Sequence, residues 1–290
     1  MKSGVFIGVT TWDIVYYQDA LPGENHKSKT EEYRTWIGGT AGNAAITYSI
    51  LGGKAMLVTA IGDSEIGKNI KSELMNDYNI EVFDLLCGEK VLPFISSISV
   101  NTITADRTIW SGQQLDIKNK HFDGNEIINN ADFCFADCQL PDAAIPILEL
   151  AHRKNMPVVL DAGSWKPKME TFLTLATDVI ASADFESPEH INTFNIFRKY
   201  NVINMAVSHG EKPLCWETAK ENGEIPSVPV DAKDTLGAGD VLHGAYCFFK
   251  YARQLSFEES LQKASEVASL SVKYDGARQG VEEYCAQNPG

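Results

Sequence analysis

Positive charge is scarce in this chain. Its 290 residues carry 25 Lys+Arg against 39 Asp+Glu, a formal net charge of −14. Nonspecific nucleic-acid binding needs a basic footprint on the phosphates, so no nucleic-acid partner is expected. An anionic membrane surface is disfavoured for the same reason. No apolar run approaches the roughly 20 residues that span a bilayer. The opening MKSGVFIGVTTWD turns polar too soon for a secretory signal. The expectation is a soluble, cytoplasmic protein with no membrane partner. Cysteines number only six, none in a CxxC pair, so reduced thiols are expected rather than disulfides or zinc ligands. The six histidines show no HxxxH or HExxH spacing.

With 44% hydrophobic and 22% charged residues, the chain fits one large globular domain, 1–290. Short β-rich runs at 5–10, 55–62, 132–137, 157–163, 178–183 and 203–208 alternate with amphipathic stretches. These lie at 40–52, 64–78, 141–155, 187–200, 238–252 and 257–273. Near-continuous apolar strands between helices predict a mostly parallel sheet covered on both faces, an α/β class. Two stretches break the rhythm. Residues 11–17 with 30–37, and 91–100 with 104–110, read as paired antiparallel strands. They predict a small β sheet, inserted at about 11–37 and 91–112, that can act as a lid excluding water from a reaction.

The segment richest in chemistry is Asp234-Thr-Leu-Gly-Ala-Gly-Asp240, entering a helix at about Ala238. Gly237 and Gly239 flank the small Ala238 and let the backbone approach a ligand. Amides at a helix start favour an anion. Asp240 places a carboxylate beside that anion site, an arrangement suited to taking a proton from a hydroxyl that attacks a phosphoryl group. An ordinary capped helix start would also contain these residue types. Gly62-Asp-Ser-Glu-Ile-Gly67-Lys68 matches the spacing of a P-loop. Asn69 replaces its hydroxyl residue, and Asp63 and Glu65 would crowd the phosphates with negative charge. It reads better as a helix start capped by Ser64 or Asp63.

DTLGAGD resembles the C-terminal signature of the ribokinase-like (PfkB) carbohydrate kinases. Gly38-Gly39-Thr-Ala-Gly-Asn43, followed by LGGKAMLVTAIGDSEIG, is similar to their N-terminal signature. The resemblance covers essentially the whole chain. It implies a three-layer α/β/α fold with the small sheet as a lid. Further implied are ATP and Mg²⁺ as cofactors, a small-molecule sugar as substrate, and homodimerisation through the lid.

Residue roles carry over from the resemblance. Asp240 falls at the catalytic base, and Gly237, Ala238 and Gly239 at the anion hole. Asp13, Gly38, Gly39 and Asn43 fall at sugar-contacting positions. Arg107, on the second β insertion, falls where ketohexokinase-like members often have an Arg-Thr that reaches the substrate. Thr235, Ser208 and Gly210 fall near the nucleotide, with Lys166 as a further cation for phosphates or an acidic substrate group. Glu186 falls at the position that organises Mg²⁺.

Departures are evident too. Ala183 stands for the usual Asn, and Pro213 for the last glycine of the nucleotide loop. Ser265 stands at a common Asn position. The tail Tyr274-Asp-Gly-Ala-Arg-Gln-Gly280 resembles a loop that in some members helps hold a monovalent cation. His243 reads as structural. Trp12, Trp36 and Trp110 fall on lid strands, as core, dimer or stacking residues. The expectation is an ATP-dependent sugar kinase acting on a primary hydroxyl, perhaps of a ketose. A nucleoside kinase of the same fold and a non-catalytic sugar- or nucleotide-binding regulator are the alternatives.

Overall fold

The computed structural model describes residues 2–30, 32–104, 106–112, 117 and 120–289. The predicted strands 30–37 and 104–110 each contain one residue, 31 and 105, outside this set. In chain order the first half holds β1 (Ser3–Ile7), β2 (Thr11–Gln18), β3 (Glu32–Gly38), α1 (Thr40–Ile50), β4 (Lys54–Thr59), α2 (Glu65–Asn76), β5 (Glu81–Asp84), β6 (Phe94–Asn101), β7 (Arg107–Ser111) and α3 (Gly124–Ile128). Next come β8 (Phe133–Ala136), α4 (Pro141–Arg153), β9 (Val158–Ala162), α5 (Met169–Leu175), β10 (Asp178–Ser182), α6 (Thr193–Lys199) and β11 (Asn204–His209). The chain closes with β12 (Lys212–Thr218), β13 (Asn222–Ile225), α7 (Ala238–Cys247), α8 (Phe257–Ser271) and α9 (Arg278–Gln287).

The main sheet has nine strands in the order β13-β12-β11-β10-β9-β8-β1-β4-β5. Its strands from β5 to β11 pair in parallel, and the β12–β13 hairpin adds an antiparallel edge. Alternate residues of β1 feed two cores, because successive strand side chains point to opposite faces. Val5 and Ile7 pack with Ile147 and Leu148 of α4, and Phe6 packs with Tyr48 of α1 and Tyr246 of α7. The predicted three layers are therefore present.

The four-stranded second sheet has the order β3-β2-β6-β7. The predicted antiparallel pairing holds for β2–β3 and β6–β7, but the central β2–β6 pair is parallel. The chain between these two strands passes through the main sheet, as α1 to β5, and re-enters in the same direction.

Other differences are local. The predicted helix 187–200 shrinks to Thr193–Lys199, started by the Asn192 side chain accepting from Phe194 N–H. The predicted helix 238–252 is α-helical only to Cys247, then a π-helical turn covers Phe248–Ala252. That turn accompanies a core contact: the hydroxyls of Tyr246 (2.9 Å) and Tyr251 both donate to buried Asp178. Ser64 caps α2, and Lys68 pairs with Glu65 on the surface. All six cysteines are free thiols. Cys134, Cys138 and Cys247 are buried, Cys215 and Cys285 half-buried, and Cys87 exposed. Among the described residues no helix is long and apolar enough to cross a membrane.

Candidate active site

The carboxyl ends of β1, β8 and β9 open toward the second sheet, the general location of ligand sites in α/β proteins. A cavity of about 990 Å³ lies there. Its main-sheet wall comes from Val9, Gly39, Asn43, Gly237, Asp240 and Lys166. Asp13 of β2, Ser96 and Ile98 of β6 and Ile109 of β7 form the opposite wall.

Close backbone approach shapes this region. Gly39 has φ +85, and a Cβ there would lie 2.5 Å from the Val9 carbonyl oxygen. A Cβ on Gly38 would sit 1.9 Å from Asp13 Oδ2, so the Asp13 carboxylate fills the space a side chain would take. Thr11 Oγ1 donates to Asp13 Oδ1 at 2.6 Å. Asp13 is buried, and that burial raises its pKa against hydrogen bonds from Thr11 and Ser96.

The two glycine-rich motifs meet at the cavity floor. Asn43, on the first turn of α1, donates from Nδ2 to Asp240 Oδ2 at 2.8 Å across 197 residues of sequence. Asp240 lies on the first turn of α7, whose N-cap is Gly237 at φ +75 and whose start no side chain caps. Burial pushes the Asp240 carboxyl up to about 6. The Asn43 hydrogen bond and the charge of His243 oppose that shift, while Asp161 and Asp13 add to it. A Cβ placed on Gly239 would meet nothing within 4 Å. The fold does not need glycine there for space, and the position beside Asp240 is open.

Asp13, Gly39, Asn43, Gly237, Asp240 and Lys166 are thus brought together around one cavity. Gly38 backs Asp13, and Ala238 and Gly239 begin α7. The Lys166 side chain makes no hydrogen bond or ion pair among the described residues, and its charge opposes the burial that raises the pKa of nearby Asp137 and Cys138. Arg107 does not line the cavity. Its guanidinium donates to Thr235 Oγ1 at 2.8 Å and to the Thr235 carbonyl at 3.4 Å, clasping β7 to the loop before α7.

Ser208, Gly210 and Glu186 also lie outside the cavity, farther along the sheet edge. Ser208 Oγ donates to the Ala181 carbonyl at 3.2 Å. Gly210, at φ +62, turns the chain between β11 and β12. Glu186 is exposed just beyond β10. The tryptophans do not reach the cavity wall: Trp12 packs on the core, Trp36 lies beneath the Arg278 guanidinium, and Trp110 is exposed.

Sequence reasoning missed three buried carboxylates. Asp234 accepts from Tyr17 of β2, from Leu236 N–H at 2.8 Å and from Gly276 N–H at 3.1 Å. It therefore joins the second sheet, the glycine loop and the C-terminal loop. Asp137 accepts from the backbone of Val9, Ala41 and Gln139, and burial raises its carboxyl to about 7. Asp161, on β9, lies 3.6 Å from His243 Nε2. Asp234 belongs to the DTLGAGD motif itself, so its position was visible and its role was not. Asp137 and Asp161 end apolar strands, which is a signal of position only.

A family model described as "pfkB family carbohydrate kinase" matches residues 1–283. The chain belongs to this family. The pfkB-family kinase is 23% identical to ribokinase of Bacillus subtilis (strain 168) over 296 residues, covering 97% of this chain and 96% of the relative. It is 23% identical to deoxyribokinase of Salmonella typhi, covering 94% and 93%. Among solved structures, ribokinase from Thermotoga maritima superposes with a TM-score of 0.79 at 20% identity, covering 99% of each chain. Arabidopsis thaliana ribokinase complexed with ribose and ATP gives 0.76 at 20% identity, covering 97% of each. These likenesses fix the kinase's fold as ribokinase-like.

Proposed function

We propose that this kinase transfers the γ-phosphoryl group of ATP to the primary hydroxyl of a five- or six-carbon sugar. The observation that carries the reading is Asp240, half-buried at the floor of the cavity, beside an uncapped helix start and the open face of Gly239. The sugar lies between the sheets, with its hydroxyls donating to Asp13, a carboxylate with accepting capacity on both oxygens. Gly38 and Gly39 keep that wall close to the backbone. Asp240 orients the primary hydroxyl and takes its proton as the oxygen attacks phosphorus. The backbone amides of Gly237, Ala238 and Gly239 stabilise charge on the transferred group. Catalysis is then mainly positioning and electrostatics.

ATP is placed along the same edge, with its phosphates toward Lys166 and Thr235 and its outer part toward Ser208 and Gly210. Glu186 is an exposed hard-oxygen donor of the kind Mg²⁺ takes beside phosphates, and bound Mg²⁺ would neutralise phosphate charge. The C-terminal loop at Gly276, already fixed to Asp234, is the place to test for monovalent-cation activation. Arg107 acts by holding the β7 edge closed over Thr235. The second sheet serves as the lid, and its outer side chains Tyr33 and Trp110, both exposed, are where a homodimer would form.

The nucleoside alternative is disfavoured by the cavity wall. Among the described lining residues Phe94 is the sole aromatic, a thin platform for a base. The curated relatives named above are a ribokinase and a deoxyribokinase, so ribose and deoxyribose head the acceptors to test, with ketoses beside them. The test is ATP consumption with Mg²⁺ across pentoses, ketohexoses, sugar acids and nucleosides. A sugar-dependent rate lost in Asp240→Asn supports the reading. A rate confined to nucleosides, or an unchanged rate in Asp240→Asn, overturns it.

A further inference from the structure

His243 sits one helical turn below Asp240, with its ring turned down onto the sheet and only 5% exposed. Its Nδ1 lies 2.7 Å from the Gly239 carbonyl oxygen, and its Nε2 lies 3.2 Å from the Ile180 carbonyl oxygen of β10. A carbonyl oxygen can only accept, so each ring nitrogen must donate to make its bond. A neutral imidazole carries a single N–H and leaves one of these contacts as two facing lone pairs. The third polar neighbour is also an acceptor: Asp161 Oδ1 at 3.6 Å from Nε2. From β8 the ring of Phe135 meets it edge-on, with centroids 5.7 Å apart.

We infer that His243 carries a proton on both ring nitrogens at neutral pH and acts as a buried positioning cation beneath Asp240. It would serve the reaction in two ways. Its Nδ1–H holds the Gly239 carbonyl, fixing the peptide that joins Gly239 to Asp240. Its charge, balanced by Asp161 from below, favours the ionised form of Asp240 that accepts a proton. The charged groups acting around this pair are Asp161 of β9, Asp240 on the same helix, Asp13 from the second sheet, and Asp137 and Lys166 at the neighbouring strand ends. Of these, His243 is the cation that opposes the burial of Asp240. The kinetic part of this inference rests on Asp240 being the base; the charge state of His243 does not.

Two measurements test it. In ¹⁵N-histidine-labelled protein at pH 7.5, the expected spectrum for His243, assigned by its loss in His243→Gln, shows protons on both ring nitrogens. A neutral single tautomer overturns the inference whatever the enzyme does. The second readout is the pH dependence of kcat/KM in His243→Gln. Removing the cation makes Asp240 harder to ionise, so the acid limb moves to higher pH. The expected loss is roughly three- to tenfold below about pH 6, fading to under twofold by about pH 8.5. A loss of equal size at every pH means a packing role alone and overturns the positioning role. Failure of the Asp240 reading is seen separately, as activity retained in Asp240→Asn.

Discussion

Asn43 Nδ2 lies 2.8 Å from Asp240 Oδ2 and donates to it. One residue comes from the first glycine-rich motif and the other from the second, and each begins a helix. The pair couples the sugar-side wall to the carboxylate that would take the proton. It also controls that carboxylate, because a hydrogen bond to the charged form favours ionisation.

Asp240→Asn should lower kcat by at least about a thousandfold, the order contributed by a positioned base together with its orienting role. The fold should survive. The folded-state carboxyl is raised to about 6, above its ordinary value. Ionising it therefore costs stability, and the cost appears as pH rises from about 4 through 6. The variant is spared this cost. A thermal melt at pH 7.5 should place it at or above the parent, whereas a lower Tm would show that the charge is structurally required.

The rate of the parent should follow the ionised fraction of Asp240, rising from about pH 5 to a plateau above about pH 7. Asn43→Ala removes the hydrogen bond that opposes the burial shift, so its acid limb should lie at higher pH, with the largest deficit below about pH 6.5. Steady-state kinetics over about pH 5–9 on both proteins is the check. An unshifted limb would mean that Asn43 acts on the substrate alone.

Gly237 and Gly239, on either side of Ala238, should behave oppositely. Gly237 has φ +75, and a Cβ there would lie 3.3 Å from Ala277 Cβ, so Gly237→Ala should cost about 1–2 kcal/mol of stability. Gly239→Ala meets nothing within 4 Å beyond its chain neighbours and its own helix backbone. Its melt should stay within about 2 °C of the parent. Its kcat should fall by about tenfold or more, because the methyl enters space assigned to the transferred phosphoryl group. Stability and kinetics measured on both variants separate the two roles.

Asp234→Ala should behave as a scaffold variant. It strips partners from the Leu236 and Gly276 amides and the Tyr17 hydroxyl. A loss of about 3 kcal/mol is expected, seen as a Tm lowered by about 6–12 °C. The rate per folded molecule should fall as well, because the loop carrying Gly237 loses its tether. A parent-like melt would rule the tether out.

Lys166→Ala and Arg107→Ala should also part. Lys166 lines the cavity with its side chain lacking a hydrogen-bonding partner among the described residues, so its loss should raise KM for ATP or for an acidic acceptor about tenfold. Arg107 is engaged with Thr235, and its loss should raise KM for the sugar by a few-fold through a looser β7 edge. Initial-rate kinetics varying each substrate in turn distinguishes them.

Much of the main sheet was legible because its strands are apolar on both faces and its helices amphipathic, so period and length agreed. The shortest of the elements missed lack that signal. β5 and β13 are four-residue edge strands, and α5 is a seven-residue helix entered through Lys168 at φ +63. The parallel β2–β6 pair was illegible because alternation reveals a half-covered strand and says nothing about its direction. For the site, glycine-rich motifs announced Asn43, Gly237 and Asp240. Asp137 and Asp161 stayed hidden, since their partners are backbone amides and a histidine far away in sequence. Arg107 and Thr235 were each foreseen at the site, but their contact was not, because a side chain's reach cannot be read from its strand.

The Asp13 carboxylate occupies the volume of the side chain that Gly38 lacks. Any residue with a Cβ at 38 would evict it. The second-sheet wall of the cavity therefore has Asp13 locked by mutual exclusion with Gly38, Ser96 and Ile98 buried beside it, and Ile109 as an exposed lining residue whose side chain is free to exchange. A library randomised at 38 should return mostly unfolded or inert protein, whereas one randomised at 109 should keep the fold and is where the proposed acceptor pocket can be retuned.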